Sequence, residues 1–164
     1  MEKSTVQAQP KTFEEALEII QGSHTLRKIK SYLDNSDLSA DLKALLYDVA
    51  KFTLKIGERV VAIGRYTLSL ASALIDKYPN MVLAAAVGMV LVTLTGSILG
   101  GIPAVGTLAV FLSKIAAALG VAKGFFDDLR QNVARSEVDQ MNAQFSALNM
   151  GFVQQEPAMF SFSI

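Results

Sequence analysis

Cysteine and tryptophan are absent from the chain, and histidine occurs once. Without cysteine there is no disulfide scaffold, no thiolate nucleophile and no Cys-ligated metal site. An excess of charge of one sign is also missing: 15 Lys and Arg balance 15 Asp and Glu, for a formal charge of zero. With no basic surplus to neutralise phosphates, a nucleic-acid partner is not expected. Tyrosine and phenylalanine are spread along helical faces rather than interleaved with cations, so bases have no stacking platform. Charge of either sign is scarce at 18%, below the rough quarter of a soluble domain, whereas 51% of residues are hydrophobic.

Catalytic equipment is equally thin. His24 has no partner motif that would make it the base for a Ser nucleophile, and Gly22-Ser23-His24 reads as a turn or helix start. Glu14 and Glu18 lie one helical turn apart without further ligands, which is the pattern of a solvated face and not of a metal site. Asp127 and Asp128 are adjacent and diverge by about 100° on a helix, so with Lys123 and Arg130 they read as an interface collar. No Gly-x-x-x-x-Gly-Lys phosphate loop occurs. No enzyme, cofactor or metal is expected.

What is present is helical pattern. The 164 residues amount to about one domain. Residues 1–11 are polar and read as a disordered arm, and they lack the basic start and apolar core of a secretory signal. Thr12 and Glu15 form a capping-box signature before a short helix at 13–21, closed by Gly22. A second amphipathic helix fits 24–33; its Arg27, Lys28 and Lys30 form either a solvated face or a contact for anionic headgroups.

From Ser39 to Lys77 there is no proline. Leu42, Leu45, Val49, Phe52, Ile56, Val60, Ile63, Thr67, Leu70 and Leu74 follow three- and four-residue steps, which predicts one helix on the order of 58 Å long. Tyr78-Pro79-Asn80 ends it, because proline cannot continue the ladder. Residues 125–148 return to an amphipathic period and predict a last helix. The tail from Gly151 ends Met159-Phe160-Ser161-Phe162-Ser163-Ile164, which is either disordered, an edge strand offered to a protein partner, or a segment laid against the bundle.

Between Lys77 and Lys114 there is no charged side chain, a run about twice the roughly 18 residues that mark a membrane-span candidate. Gly100-Gly101-Ile102-Pro103 divides it into two apolar helices at about 81–99 and 104–123. Residues 78–99 would reach roughly 33 Å as a helix, enough for a bilayer core of about 30 Å. Lys114 falls about half-way through the second leg, where a cation costs on the order of 3 kcal/mol. Three arrangements accommodate it: an oligomeric pore that wets Lys114, a shallow hairpin from which it snorkels, or burial of the hairpin within a helical bundle. Ala84-x-x-x-Gly88, Gly96-x-x-x-Gly100 and Ala116-x-x-x-Gly120-x-x-x-Gly124 permit close approach of helices, within the hairpin or between chains.

The apolar hairpin with its markers Lys77-Tyr78-Pro79-Asn80, Gly100-Gly101-Ile102-Pro103 and Lys114 resembles bacterial membrane-hairpin proteins, including the central hairpin of pore-forming colicins and small pore-forming effectors. The resemblance covers the hairpin alone. It implies a helical protein that inserts a hairpin and depolarises, or anchors to, an inner or cytoplasmic membrane.

The expectation is therefore an all-α protein: an amphipathic region over 12–77, an apolar hairpin over 78–124, an amphipathic helix over 125–150 and a tail over 151–164. Its expected partners are a lipid bilayer and further copies of itself. The first functional reading is a homo-oligomeric pore or permeabilising protein, with Lys114, Ala84, Gly88, Gly96, Gly100, Gly101, Pro103, Gly120 and Gly124 as pore-lining or helix-packing candidates. The alternative is a non-conducting scaffold, anchored by the hairpin or burying it between subunits.

Overall fold

A computed structural model describes residues 12–56, 58–97 and 102–153. The arm before Thr12, the Gly100-Gly101 turn and the tail beyond Val153 lie outside the described residues. The fold is mainly α: eight helices and one small β-hairpin among those residues.

The first two helices follow their local signals. Helix α1 (Phe13–Gln21) is capped by Thr12, whose hydroxyl accepts from the Glu15 N–H at 3.3 Å, and buries Ala16, Leu17 and Ile20. Helix α2 (Leu26–Asp34) starts two residues later than its apolar spacing predicts. Thr25 is the cap and accepts from the Lys28 N–H at 3.2 Å, and Ile29 and Leu33 face the core.

The long helix predicted over 39–77 is not continuous. Helix α3 (Ala40–Ala50) is followed by strands β1 (Leu54–Ile56) and β2 (Arg59–Val61), and only then by helix α4 (Ile63–Lys77). The strands pair antiparallel with Leu54 opposite Val61 and Ile56 opposite Arg59. Leu54, Ile56 and Val61 are buried while Lys55, Arg59 and Val60 face out, so period-2 burial replaces the helical one in β1. The hairpin reverses the chain and lets α4 return along α3. At that return a β-carbon on Gly64 would lie 1.9 Å from the Val49 carbonyl oxygen, so the two backbones meet where no side chain fits. The Gly64 N–H donates to the Phe52 carbonyl at 2.9 Å in the same contact.

After the Tyr78-Pro79-Asn80 break come α5 (Leu83–Gly96) and α6 (Pro103–Leu119), the two legs of the apolar hairpin, each shorter than predicted. The predicted helix over 125–148 is two helices, α7 (Lys123–Asn132) and α8 (Arg135–Val153). The amphipathic pattern runs through the Val133-Ala134 break without a Gly or Pro to announce it. Tertiary packing sets the turn: Ala134 is fully buried and α8 is carried back across α1, α5 and α7.

Helix α5 is the axis of the assembly, packed against α4, α6, α7 and α8. Every residue from Leu83 to Leu94 is buried. With no polar face to turn to water, such a helix is stable in water only when surrounded, and each large aliphatic side chain it buries contributes about 1.5–3 kcal/mol.

Candidate membrane-active hairpin

The site singled out by the sequence is the α5–α6 hairpin, and the two legs differ in their surroundings. Helix α5 has 14 residues and a length of about 21 Å; α6 has 17 and about 26 Å. The 33 Å leg expected from residues 78–99 is thus not formed, because helix starts only at Leu83 and ends at Gly96. Among the described residues no single helix is long and apolar enough to cross a membrane. Residues Val105–Leu119 and Gly124–Asn132 satisfy length and composition only when taken together, and they meet at 95°.

The polar groups within α5 are bonded inside the helix itself. The Thr93 hydroxyl donates to the Met89 carbonyl at 2.9 Å, and Thr95 donates to Leu91 at 2.9 Å. Beyond the last turn, the Ser97 hydroxyl donates to Leu94 at 2.6 Å. Of the small residues, Ala84 and Gly88 are both buried within the bundle. The absent side chain of Gly88 makes room for Phe126 of α7, which is fully buried. Gly96 lies at the exposed end of α5, where a β-carbon would stand 3.4 Å from an Arg130 guanidinium nitrogen.

Helix α6 begins with Pro103 in its first turn, where proline costs no hydrogen bond. Val105, Leu108, Leu112 and Ile115 are buried, while Gly106, Thr107, Val110, Ser113, Lys114 and Ala117 form an exposed stripe. Lys114 is the only charge on that stripe, and its ammonium lies 5.7 Å from the Phe111 ring centroid. A Schellman turn closes the helix: Gly120 takes φ 68°, its N–H donates to the Ala117 carbonyl and that of Val121 to Ala116. Ala116 is half-buried; Gly124, in the first turn of α7, is exposed with open space where a β-carbon would be. Gly100 and Gly101 lie outside the described residues.

The cover over α5 is tied at its edges by charge. Lys77 at the end of α4 pairs with Glu137 near the start of α8, and the Tyr78 hydroxyl donates to the same carboxylate at 3.1 Å. Burial alone would raise the Glu137 carboxyl, but hydrogen bonds from Lys77, its own backbone N–H, Ser136 and Tyr78 outweigh it and hold the group below its ordinary value. Arg130 approaches Asp127 at 3.8 Å, and Asn132 donates to Asp128 at 2.6 Å, both within α7. Away from the hairpin, Glu14 holds Arg59 with both oxygens, at 2.8 and 2.7 Å. The backbone N–H of His24 donates to Ser69 Oγ at 3.0 Å.

Among the described residues, no group of three or more His, Asp or Glu side chains converges to hold a metal ion. Compared with protein-family models, curated proteins and solved structures, the chain matches none. Its chemistry has to be read from its own residues. The arrangement shelters an apolar helix inside a water-compatible sheath and places that helix's partner, α6, at the surface with one uncharged face and one lysine.

Phe126 was not singled out in the sequence. Its local signal is ordinary helical spacing, and only its fit to Gly88, far along the chain, marks it.

Proposed function

We propose that this protein is a membrane-associating helical bundle that self-assembles and permeabilises the bilayer by presenting its α5–α6 hairpin to lipid. The observation that carries the reading is the contrast within the hairpin: α5 is uncharged on every face and sheathed from Leu83 to Leu94, while α6 already faces solvent with Val110, Thr107 and Ala117 around a single lysine. A sheath of amphipathic helices keeps α5 soluble, and exchange of that sheath for acyl chains retains apolar contact on all its faces. Lys114 is placed to reach headgroups or a wet lumen with its ammonium while its stem stays along α6. The reading places the working form at a membrane, an inner or cytoplasmic one if the source is bacterial.

The length of α5, about 21 Å against a core of about 30 Å, favours a second reading. In it the hairpin stays a permanent core or a shallow anchor, and the protein is a non-conducting scaffold.

One experiment separates them. The chain has no cysteine, so Lys77→Cys/Glu137→Cys can be joined by a bis-methanethiosulfonate cross-linker, each thiol displacing methanesulfinate to form a reducible disulfide, which ties α4 to α8 across α5. Dye release from anionic vesicles should be blocked in the linked protein, restored on reduction and present throughout in the unlinked double variant. Membrane binding without release in every form gives the scaffold reading, and the absence of both binding and release removes the membrane from either.

A further inference from the structure

A cleft of about 120 Å³ opens between α2 and α4 at the first turn of α5. Ile29, Leu68 and Leu83 form its floor and walls, each less than a tenth exposed, and the half-exposed Tyr32 ring flanks them. Three polar side chains complete the lining: Ser72, His24 and Lys28. None of the lining residues is acidic. Lys28 has no ion-pair partner among the described residues, whereas Lys30 on the same helix is neutralised by Asp34 at 2.7 Å.

The cleft is built on rigid parts. Thr25 caps α2, and the His24 backbone is pinned to Ser69 of α4, so the α1–α2 turn is fixed on the helix that forms the opposite wall. An apolar recess of this order of volume holds about six carbons, since a cavity of about 150 Å³ takes benzene. Ile29, Leu68 and Leu83 make most of the lining apolar, which suits a hydrocarbon tail over a wholly polar ligand. Lys28, exposed and without an ion-pair partner on the same lining, supplies charge complementarity for an anion.

We infer that this cleft binds a small amphiphilic anion, a carboxylate with a chain of about six carbons, its tail against Ile29, Leu68 and Leu83 and its head at Lys28 and His24. The inference does not depend on the membrane reading; it concerns a site in the folded bundle and a free ligand in solution.

The test is titration of the full-length, ¹⁵N-labelled protein with hexanoate, alongside the uncharged hexan-1-ol. Saturable shifts at His24–Tyr32 and Leu68–Ser72 are expected for both ligands, with hexanoate the tighter. Lys28→Gln should weaken hexanoate about fivefold and leave hexan-1-ol unchanged. Ser72→Phe, which fills the cleft from α4, should abolish both. Shifts that never saturate or spread over the whole surface overturn the site. Equal loss of both ligands in Lys28→Gln overturns the role of Lys28 and with it the anionic class. The unperturbed remainder of each variant's spectrum reports that it is folded.

Discussion

The Phe126 ring occupies the place of a side chain on Gly88: a β-carbon there would lie 2.3 Å from Phe126 Cε1 and 2.6 Å from its Cζ. The contact joins the middle of α5 to the first half of α7. Gly88→Ala should therefore destabilise the bundle by about 1–3 kcal/mol through overpacking, despite the better helix propensity of alanine. Adding Phe126→Leu should recover part of the loss, and a double-mutant cycle on chemical denaturation measures the coupling. Independent, additive losses would mean that the ring moves aside freely.

Glu137 makes stability depend on pH with a definite sign. Its carboxyl is held below the ordinary value of 4.5 in the folded chain, so its contribution is present above that value and disappears as pH falls through the lowered one. Glu137→Gln should be less stable than the parent at pH 7, and the two should converge as pH falls through the lowered carboxyl value. Denaturation curves taken in steps from neutral to acid pH check this; a gap that does not narrow as pH falls would assign the effect to packing.

The Tyr66 hydroxyl is buried beside Phe145 and finds no hydrogen-bond partner among the described residues, and burial pushes its phenol well above the usual range. Tyr66→Phe keeps the ring contact and removes an unpaired group. Stability should hold or rise by about 1 kcal/mol. A loss of that size would show the hydroxyl to be bonded.

Gly120 is the described glycine with positive φ, at the turn from α6 to α7. Gly120→Ala should cost about 1–2 kcal/mol, a backbone effect independent of volume because nothing lies within 4 Å of the added carbon. Gly124→Ala, also with open space around it, should be close to neutral and serves as the control.

Lys114→Leu tests the lumen. Lys114 is exposed, so the change should move folding stability by no more than about 0.5 kcal/mol. In the permeabilising reading it abolishes dye release while vesicle binding and oligomer size stay as in the parent. Undiminished release would remove Lys114 from the conducting path.

The features legible in the sequence were local ones. Thr12 before α1 and Pro79 after α4 act through hydrogen bonds within a few residues, and the structure puts helix boundaries beside both. The apolar run of residues 78–113 announced two apolar helices because it carries no charge and Gly100-Gly101-Ile102-Pro103 divides it. The β-hairpin was hidden because strands of three residues show too little alternation, and Phe52, Ile56, Val60 and Ile63 happen also to lie at helical intervals. The Val133-Ala134 turn and the Gly88–Phe126 contact are decided by what lies across the bundle, about which neighbouring residues carry no information. The cleft of His24 and Lys28 with Leu68 and Leu83 joins segments some 40 to 60 positions apart, and spacing along a chain does not encode such meetings.

The threonines of α5 bear on what moving that helix would cost. Because Thr93 and Thr95 donate to carbonyls one turn back on their own helix, α5 asks no neighbour for a side-chain hydrogen bond. A change of surroundings from protein to hydrocarbon leaves that ledger untouched and alters only dispersion contacts and the ends of the helix. In the proposed function, freeing α5 would have to break the Gly88–Phe126 fit and the Lys77–Glu137 tie, while its own polar bonds travel with it.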